Sequence, residues 1–225
     1  MAETMATMES PARAWLRPGH VEEVFRRLWA SLFYSGRSVG KTVMVCSADE
    51  GEGASSMICG LALAGSTPAG AARVALVDFN LRDPAVHRLM AVGQAPGVSE
   101  ILVDSLAAES AAQRVNTSLD VYAVGNAKGR LLDVLRSNTL ETFLSTLAEG
   151  YDHVLVDAAP VNLYPDAQVL AGVVKDVVLV AHTDRTPREA VAQAKKRLEA
   201  SGGRVVGLVL NMRTYPIPGF LYRRV

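Results

Sequence analysis

Short apolar runs alternate along the chain with longer segments in which apolar residues recur every three or four positions. Runs that are apolar throughout are typical of strands buried on both faces of a parallel sheet, and the longer periodic segments are typical of helices. Strands are predicted at 43–47, 71–78, 119–124, 153–157, 177–181 and 205–211. Helices are predicted at 20–34, 55–65, 138–149, 166–174 and 187–200, and residues 85–118 are expected to be helical or irregular. This alternation predicts a doubly wound α/β fold, with a mostly parallel sheet and helices on both faces.

The length and the charge balance indicate the number of domains and the class of partner. A chain of 225 residues fits one large domain, predicted at 19–212, with a flexible leader at 1–18 and a short tail at 213–225. Lys and Arg together number 23, as do Asp and Glu, so no overall positive field favours nucleic acid as a partner. The leader has no apolar signal-peptide core and no apolar run reaches about 18 residues. We therefore expect a cytoplasmic protein.

The segment from Val43 to Met57 carries the clearest candidate chemistry, because a strand, a glycine-rich turn and a helix start follow one another there. This is the layout of a phosphate-binding loop, whose pattern is G-x-x-x-x-G-K-[ST]. Gly53 and Ser55 match the pattern, but Ala48 stands at its first glycine and Ala54 at its lysine. The loop also carries three acids where a triphosphate would lie, namely Asp49, Glu50 and Glu52. The sequence thus predicts the architecture of a nucleotide loop without its cation.

Polar residues follow two of the other predicted strands. Asp78 and Asp157 each end an apolar run, where open α/β sheets place their ligands. They are candidates for binding a metal ion or water; the alternative is that they only hold the amides of nearby loops. Arg82 and Arg185, which follow two of the strands, are candidate replacements for the lysine.

Four segments together resemble one family. They are the loop at 47–56, Leu76-Val-Asp-Phe-Asn-Leu-Arg-Asp-Pro84, Tyr151-Asp-His-Val-Leu-Val-Asp-Ala-Ala-Pro160, and Asp166-Ala-Gln-Val-Leu-Ala171. In order and spacing they are similar to the cytoplasmic domain of bacterial tyrosine kinases (BY-kinases). These are P-loop proteins, with a fold of the MinD/ParA type, that partner membrane chain-length regulators in capsule and exopolysaccharide export. The similarity extends over about residues 20 to 212.

The resemblance implies a role for each matching position. The loop corresponds to Walker A, the segment at Asp78 and Asn80 to Walker A′, and Asp157 to the Walker B acid. The implied nucleotide-binding positions are Gly51, Glu52, Gly53, Ala54, Ser55, Ser56 and Asn211, the last at adenine. The implied Mg²⁺ ligands are Ser55, Asp78 and Asp157, and the implied catalytic positions are Asp78, Asn80 and Asp157. Glu23 and Arg26 match the first two positions of the E-x-x-R-x-x-R motif that builds a ring of subunits, and Trp29 stands at the third.

The departures from the family pattern affect its catalytic parts. Ala54 replaces the loop lysine, and Asn80 replaces an acid that helps to activate the tyrosine hydroxyl. Alanines stand at 158 and 159, where the family usually has Thr-Pro. Of the tyrosine-rich tail that the family phosphorylates, only Tyr215 and Tyr222 remain.

These departures predict a catalytically impaired protein, with vestigial catalytic positions, that acts as a scaffold or regulator of polysaccharide polymerisation and export. Its expected partners are the cytoplasmic part of a membrane chain-length regulator, at the inner face of the membrane, and further copies of itself, with no nucleic acid. ATP or ADP with Mg²⁺ is expected only if the altered loop still binds nucleotide. One alternative is an active, non-standard ATPase or tyrosine autokinase that uses Arg82 or Arg185. A positioning ATPase of the MinD/ParA type ranks below both.

Overall fold

A seven-stranded sheet forms the centre of the computed structural model, which describes residues 20–36, 38–67, 72–136 and 138–213. The strands are β1 (Thr42–Ser47), β2 (Val74–Phe79), β3 (Gln113–Asn116), β4 (Leu119–Tyr122), β5 (His153–Ala158), β6 (Asp176–His182) and β7 (Arg204–Asn211). Their order across the sheet is β3-β4-β2-β5-β1-β6-β7. All neighbouring pairs are parallel except β3 and β4, which are antiparallel.

Helices cover both faces of this sheet. They are α1 (His20–Phe33), α2 (Ala54–Gly65), α3 (Val86–Met90), α4 (Val98–Asp104), α5 (Ala108–Ala111), α6 (Leu131–Leu135), α7 (Leu140–Gly150), α8 (Asp166–Val174) and α9 (Arg188–Ala200). One core lies between the sheet and α1, α2 and α3. The other lies between the opposite face and α4 to α9. Adjacent strand residues such as Met44 and Val45 enter opposite cores, which explains why the central strands are apolar at every position.

Helix α1 packs on α2 through two aromatic side chains that lie on glycines. A Cβ atom added at Gly60 would lie 2.3 Å from the ring of Phe25, and one added at Gly65 would lie 2.3 Å from the ring of Trp29. Trp29 also contacts Phe33 and His153, with ring centroids 4.4 Å and 4.9 Å away. The two glycines therefore make the space that α1 fills, and they tie it to the helix that begins at the candidate phosphate loop.

The predicted fold class is confirmed, and the helix and strand predictions outside 85–118 agree with the structure to within about three residues at each end. The prediction that 85–118 is helical or irregular is wrong at Gln113–Asn116, which forms the edge strand β3. Its four residues, Gln-Arg-Val-Asn, are mostly polar because the strand lies at the rim of the sheet and is only partly buried. The predicted leader at 1–18, Tyr215 and Tyr222 lie outside the described residues, as does the predicted tail beyond Arg213. Among the helices that the structure describes, none has the length and apolar character needed to cross a bilayer.

Candidate functional site

The predicted phosphate loop borders a cavity of about 660 Å³ at the carboxyl edge of the parallel strands. The loop between β1 and α2 forms one wall, and the segments that follow β2, β5 and β6 supply the others. Crevices at this edge are where open α/β sheets bind ligands. The predicted loop residues, Asn80 and both candidate arginines therefore line one cavity, whereas Asp78 and Asp157 are buried and are not among its lining residues.

The backbone of the loop has a conformation suited to holding an anion. Gly51 and Gly53 have φ angles of 74° and 82°, in the left-handed region that favours glycine. Helix α2 begins at Ala54 directly after Gly53, which has no side chain that could cap the first turn. The first N–H groups of a helix have no partner within the helix, and they carry the positive end of its dipole. The loop thus retains the backbone part of a phosphate site.

Ser55 and Asp157 lie in contact beneath the loop. The Ser55 hydroxyl donates to Asp157 Oδ2 at 2.6 Å, and the carboxylate is fully buried. Its second oxygen, Oδ1, is buried without a hydrogen-bond partner among the described residues. Burial raises the pKa of Asp157 to about 7, although the Ser55 hydroxyl acts to lower it. A buried carboxylate oxygen without a donor is suited to an incoming cation or water.

Asp78 lies beside Asp157, because the two residues pair in register across β2 and β5. Its carboxylate accepts the backbone N–H of Asn80 at 3.0 Å and that of Val86 at 3.3 Å. Burial raises the pKa of Asp78 well above its usual range, and the charge of Asp157 adds to this effect. Asp78 therefore holds two loop amides, which is the simpler of the two roles that the sequence allowed. Its role in catalysis or metal binding stays a prediction.

Asn80 stabilises the turn that follows β2. Its side-chain oxygen accepts the backbone N–H of Asp83 at 3.2 Å, and the residue is 9% exposed. A neutral amide engaged in this way does not take up a proton at ordinary pH. The geometry thus gives Asn80 a structural part next to the cavity.

The cavity lacks a cation at the loop itself. Ala54 is 7% exposed and ends in a methyl group where the pattern places an ammonium. Arg82 lines the cavity, but its guanidinium makes a two-pronged ion pair with the fully buried Asp166, at 2.8 Å and 2.9 Å. The same guanidinium lies 4.7 Å from the centre of the Tyr164 ring. Because Arg82 already has a buried partner, moving it toward a phosphate would leave the Asp166 carboxylate without compensation.

Arg185 is placed differently. It lines the cavity after β6, is exposed, and its guanidinium makes no ion pair or hydrogen bond with a residue that the structure describes. Arg88 also lines the cavity, and it lies 3.7 Å from Asp83. Of the two arginines that the sequence suggested, Arg185 is the one whose side chain is not already committed.

The three loop acids are not equivalent. Glu52 lines the cavity but is 3% exposed, and its carboxylate accepts the Asp49 amide and the Thr186 hydroxyl, so repulsion of a triphosphate by Glu52 stays a prediction. Glu50 accepts the Tyr164 hydroxyl at 3.2 Å, and Asp49 is partly exposed. The three acids therefore differ in exposure and in hydrogen-bond partners.

Asn211 ends β7 next to the loop. Its side-chain amide donates to the backbone oxygen of Glu52 at 2.8 Å. A Cβ atom at Gly53 would lie 2.6 Å from this amide nitrogen. In the structure Asn211 thus tethers the loop, and contact with adenine stays a prediction. Ser56 is partly exposed and lines the cavity.

The predicted subunit-contact residues lie on α1, away from the cavity lining. The Glu23 and Arg26 side chains are 45% and 47% exposed and lie 3.6 Å apart on the same helix face. Trp29 is 3% exposed and fills the space over Gly65. Packing within the chain thus accounts for Trp29. A role of the three residues in self-association stays a prediction.

Sequence reasoning missed Asp166, Tyr164 and Thr186 as neighbours of the candidate site. Asp166 and Tyr164 hold Arg82, and Thr186 bonds to Glu52. The Asp166 segment was among those that carried the resemblance, but no spacing connects it to Arg82, which is 84 residues earlier. Only the strand order places these elements side by side.

The described residues fit Mg²⁺ and a phosphate group in part. The Ser55 hydroxyl, the open Asp157 oxygen and the uncapped start of α2 are the donors and acceptors that such a group would need. The loop cation that would balance the phosphate charge is missing at Ala54. The site thus has part of the donors and acceptors that Mg²⁺ and a phosphate would need, and the position that the pattern gives to lysine carries no charge.

Comparisons with known proteins place this geometry in a family. No family model matches the chain. The tyrosine-protein kinase YwqD of Bacillus subtilis is 30% identical over 172 residues, covering 76% of this chain and 72% of YwqD. The crystal structure of the chimerical protein CapA2B2 superposes with a TM-score of 0.81 at 24% identity, covering 88% of this chain and 87% of that one.

A more distant structure shares the fold. The septum site-determining protein MinD of Pyrococcus horikoshii, complexed with Mg-ADP, superposes with a TM-score of 0.63 at 16% identity, covering 76% of this chain and 70% of that one. The sheet is therefore of the MinD type. By its similarity to YwqD over most of both chains, the protein belongs to the family of bacterial tyrosine kinases.

Proposed function

We propose that this protein is a catalytically impaired member of the bacterial tyrosine-kinase family and acts as a scaffold or regulator of capsule or exopolysaccharide polymerisation and export. The observation that carries the proposal is Ala54, a methyl group at the cation position of a loop that is otherwise folded for phosphate. The partner would be the cytoplasmic part of a membrane chain-length regulator, which would hold the protein at the inner face of the membrane.

Electrostatics supports the impairment. Phosphoryl transfer in this class of proteins depends mainly on positioning and on stabilising spread negative charge. A hydrogen bond to a charged group contributes about 1.5–3 kcal/mol, so the missing lysine should weaken nucleotide binding by roughly 10- to 100-fold. The loss in the transition state should be larger, because negative charge develops there with little else to offset it.

The side chains around position 54 also support impairment. Arg82, which lines the cavity, is engaged by Asp166 and Tyr164. Asn80 stands where the family has an acid, and its side-chain oxygen holds the backbone of Asp83. Phosphate clamp and base are thus altered together, while the sheet and the loop backbone are kept. This combination supports a scaffold better than an enzyme.

A second candidate function is an active, non-standard ATPase or tyrosine autokinase. Arg185 favours it, because this arginine lines the cavity and makes no hydrogen bond or ion pair with a described residue. In that case Arg185 would supply the charge that Ala54 lacks. A positioning ATPase of the MinD/ParA type shares the fold, but this loop carries no lysine, whereas that group usually has two.

Calorimetric titration with Mg-ATP and Mg-ADP would test the proposal, using the wild type beside Ala54→Lys and Ala54→Met. The methionine adds a side chain of similar length without charge and so controls for bulk. We expect Ala54→Lys to bind in the micromolar range, and the wild type and Ala54→Met to bind roughly 10- to 100-fold more weakly.

Micromolar binding by the wild type would overturn the proposed impairment. Loss of that binding in Arg185→Ala would then establish the second candidate. We also propose that the protein self-associates through α1. Light scattering tests this by comparing the assembly size of the Arg26→Glu variant with that of the wild type. An unchanged assembly size in that variant would rule out α1 as the contact.

A further inference from the structure

Glu52 lies in the middle of the candidate phosphate loop, yet its carboxylate bonds to groups inside the protein. One oxygen, Oε2, accepts the backbone N–H of Asp49 at 3.1 Å, which closes the loop on itself. The other, Oε1, accepts the hydroxyl of Thr186, which lies between β6 and α9. The residue is 3% exposed. The carboxylate therefore joins the two halves of its own loop to a neighbouring one.

The hydroxyl of Thr186 has a fixed direction in this arrangement. Its oxygen accepts the backbone N–H of His182 at 3.0 Å, at the end of β6. Its single proton is therefore donated to Glu52. The chain of bonds runs from the end of β6 through Thr186 to Glu52 and ends on the Asp49 amide of the loop.

A second tether reaches the loop from β7. The Asn211 amide donates to the backbone oxygen of Glu52 at 2.8 Å and lies against Gly53. The loop is thus fixed by side chains from β6–α9 and β7 on one side, while the start of α2 remains uncapped. All of these hydrogen bonds are formed between residues of the protein itself.

The burial of Glu52 makes these bonds necessary to the loop. A carboxylate removed from water must be compensated by donors or cations. Glu52 has no ion pair with a residue in the described ranges, so the Asp49 amide and the Thr186 hydroxyl supply this compensation. If Thr186 could not donate, Glu52 would gain by turning outward to water, and the loop would open with it.

We propose that Glu52 is a positioning residue that holds the phosphate loop in its folded shape through Thr186, whether or not an anion is bound. This inference is independent of the proposed function, because it concerns the loop without nucleotide. It explains how a loop without a lysine at position 54 keeps its folded shape, since none of these hydrogen bonds involves Ala54.

Amide hydrogen exchange of the nucleotide-free protein, followed by mass spectrometry, would test the proposal. The substitution is Thr186→Val, which keeps the shape of the side chain and removes the hydroxyl. We expect the hydrogen-bonded amides of the loop, those of Asp49 and Met57, to exchange about 10- to 100-fold faster, the range that corresponds to losing one hydrogen bond to a charged group. Amides of β5 should remain as slow as in the wild type.

Two control variants sharpen the result. Thr186→Ser keeps the hydroxyl and should restore slow exchange in the loop. Thr146→Val makes the same change on α7, where the Thr142 carbonyl is the one partner of the Thr146 hydroxyl among the described residues, and should leave the loop unchanged. Loop exchange in Thr186→Val at the wild-type rate would overturn the proposal. So would an equal acceleration in the loop and in β5, since that would indicate lower overall stability instead of a local tether.

Discussion

The first turn of helix α2 and the rest of the helix differ in how the space around them is filled. At its first turn, Ala54 leaves open room in a cavity where the family pattern places a long cationic side chain. Along its body, Gly60 and Gly65 give up their own side chains so that Phe25 and Trp29 can lie on the helix. Apolar packing is thus complete at one end, while the charge that chemistry would need is missing at the other. A protein that has lost catalysis but kept its fold should show this difference.

The largest effect is expected from filling the space under α1. In Gly60→Ala with Gly65→Ala, each new Cβ would lie 2.3 Å from an aromatic ring, so both rings must move and α1 must lift. Lost burial and overpacking should lower the free energy of unfolding by about 2–4 kcal/mol, despite the better helix propensity of alanine. Urea denaturation measures this loss. Gly150→Ala is the control, because its Cβ would have no neighbour within 4 Å. Equal stability of the double variant and the control would show that the aromatic packing is not tight.

An intermediate effect is expected within the loop, where two glycines share a backbone conformation but differ in surroundings. Gly51 and Gly53 both have positive φ angles, so alanine at either one costs about 1–2 kcal/mol of backbone strain. At Gly53 the added Cβ would also lie 2.6 Å from Asn211 Nδ2, whereas Gly51 has open space. We therefore expect Gly53→Ala to lower the melting temperature more than Gly51→Ala. The reverse order would mean that the Asn211 tether yields easily.

The smallest effect concerns pH and the far end of the α1 contact. His153 lies against Phe33 and Trp29, and burial lowers its pKa below the usual value. A group whose pKa is lower in the folded state binds fewer protons there than in the unfolded chain, so stability falls as pH drops below about 6.5. Asp157, whose burial raises its pKa to about 7, contributes with the opposite sign in this range. The His153 effect is therefore measured as the difference in denaturation midpoint between the wild type and His153→Phe, and the wild type should lose stability relative to the variant from pH 7.5 to 5.5. Burial lowers the pKa of His87 as well, so part of the slope should persist. An unchanged slope in His153→Phe would exclude His153 as a source.

The sequence predicted the sheet well because buried parallel strands leave a strong signal. Runs such as 43–46 and 154–156 are apolar at every position, since both of their faces enter a core. Strand β3 lacked this signal, because an edge strand of four residues, only partly buried, needs no apolar pattern. It is placed in the sheet by its antiparallel pairing with β4, and its own residues give no pattern that would predict this pairing.

The candidate site was predictable in its local parts only. The loop motif, Ser55 and the strand-end acids follow from spacing along the chain, and the structure brings Ser55, Asp78 and Asp157 together. The inward turn of Glu52 was not predictable, because its partner Thr186 lies 134 residues away. The engagement of Arg82 by Asp166 was hidden for the same reason. The number of charged residues in a loop can be counted from the sequence, but the partners of their side chains depend on elements that are distant along the chain.

The strand order makes the shape of the crevice independent of the residues that line it. β1 lies between β5 and β6, so the crevice at its carboxyl end is made by the path of the chain and not by the residues of the loop. A change of the side chain at position 54 would therefore alter the charge of the crevice without closing it or weakening the sheet. The crevice is a property of the fold, and the chemistry that it can support is decided separately by a few side chains that line it, such as Ala54, Asn80 and Arg185.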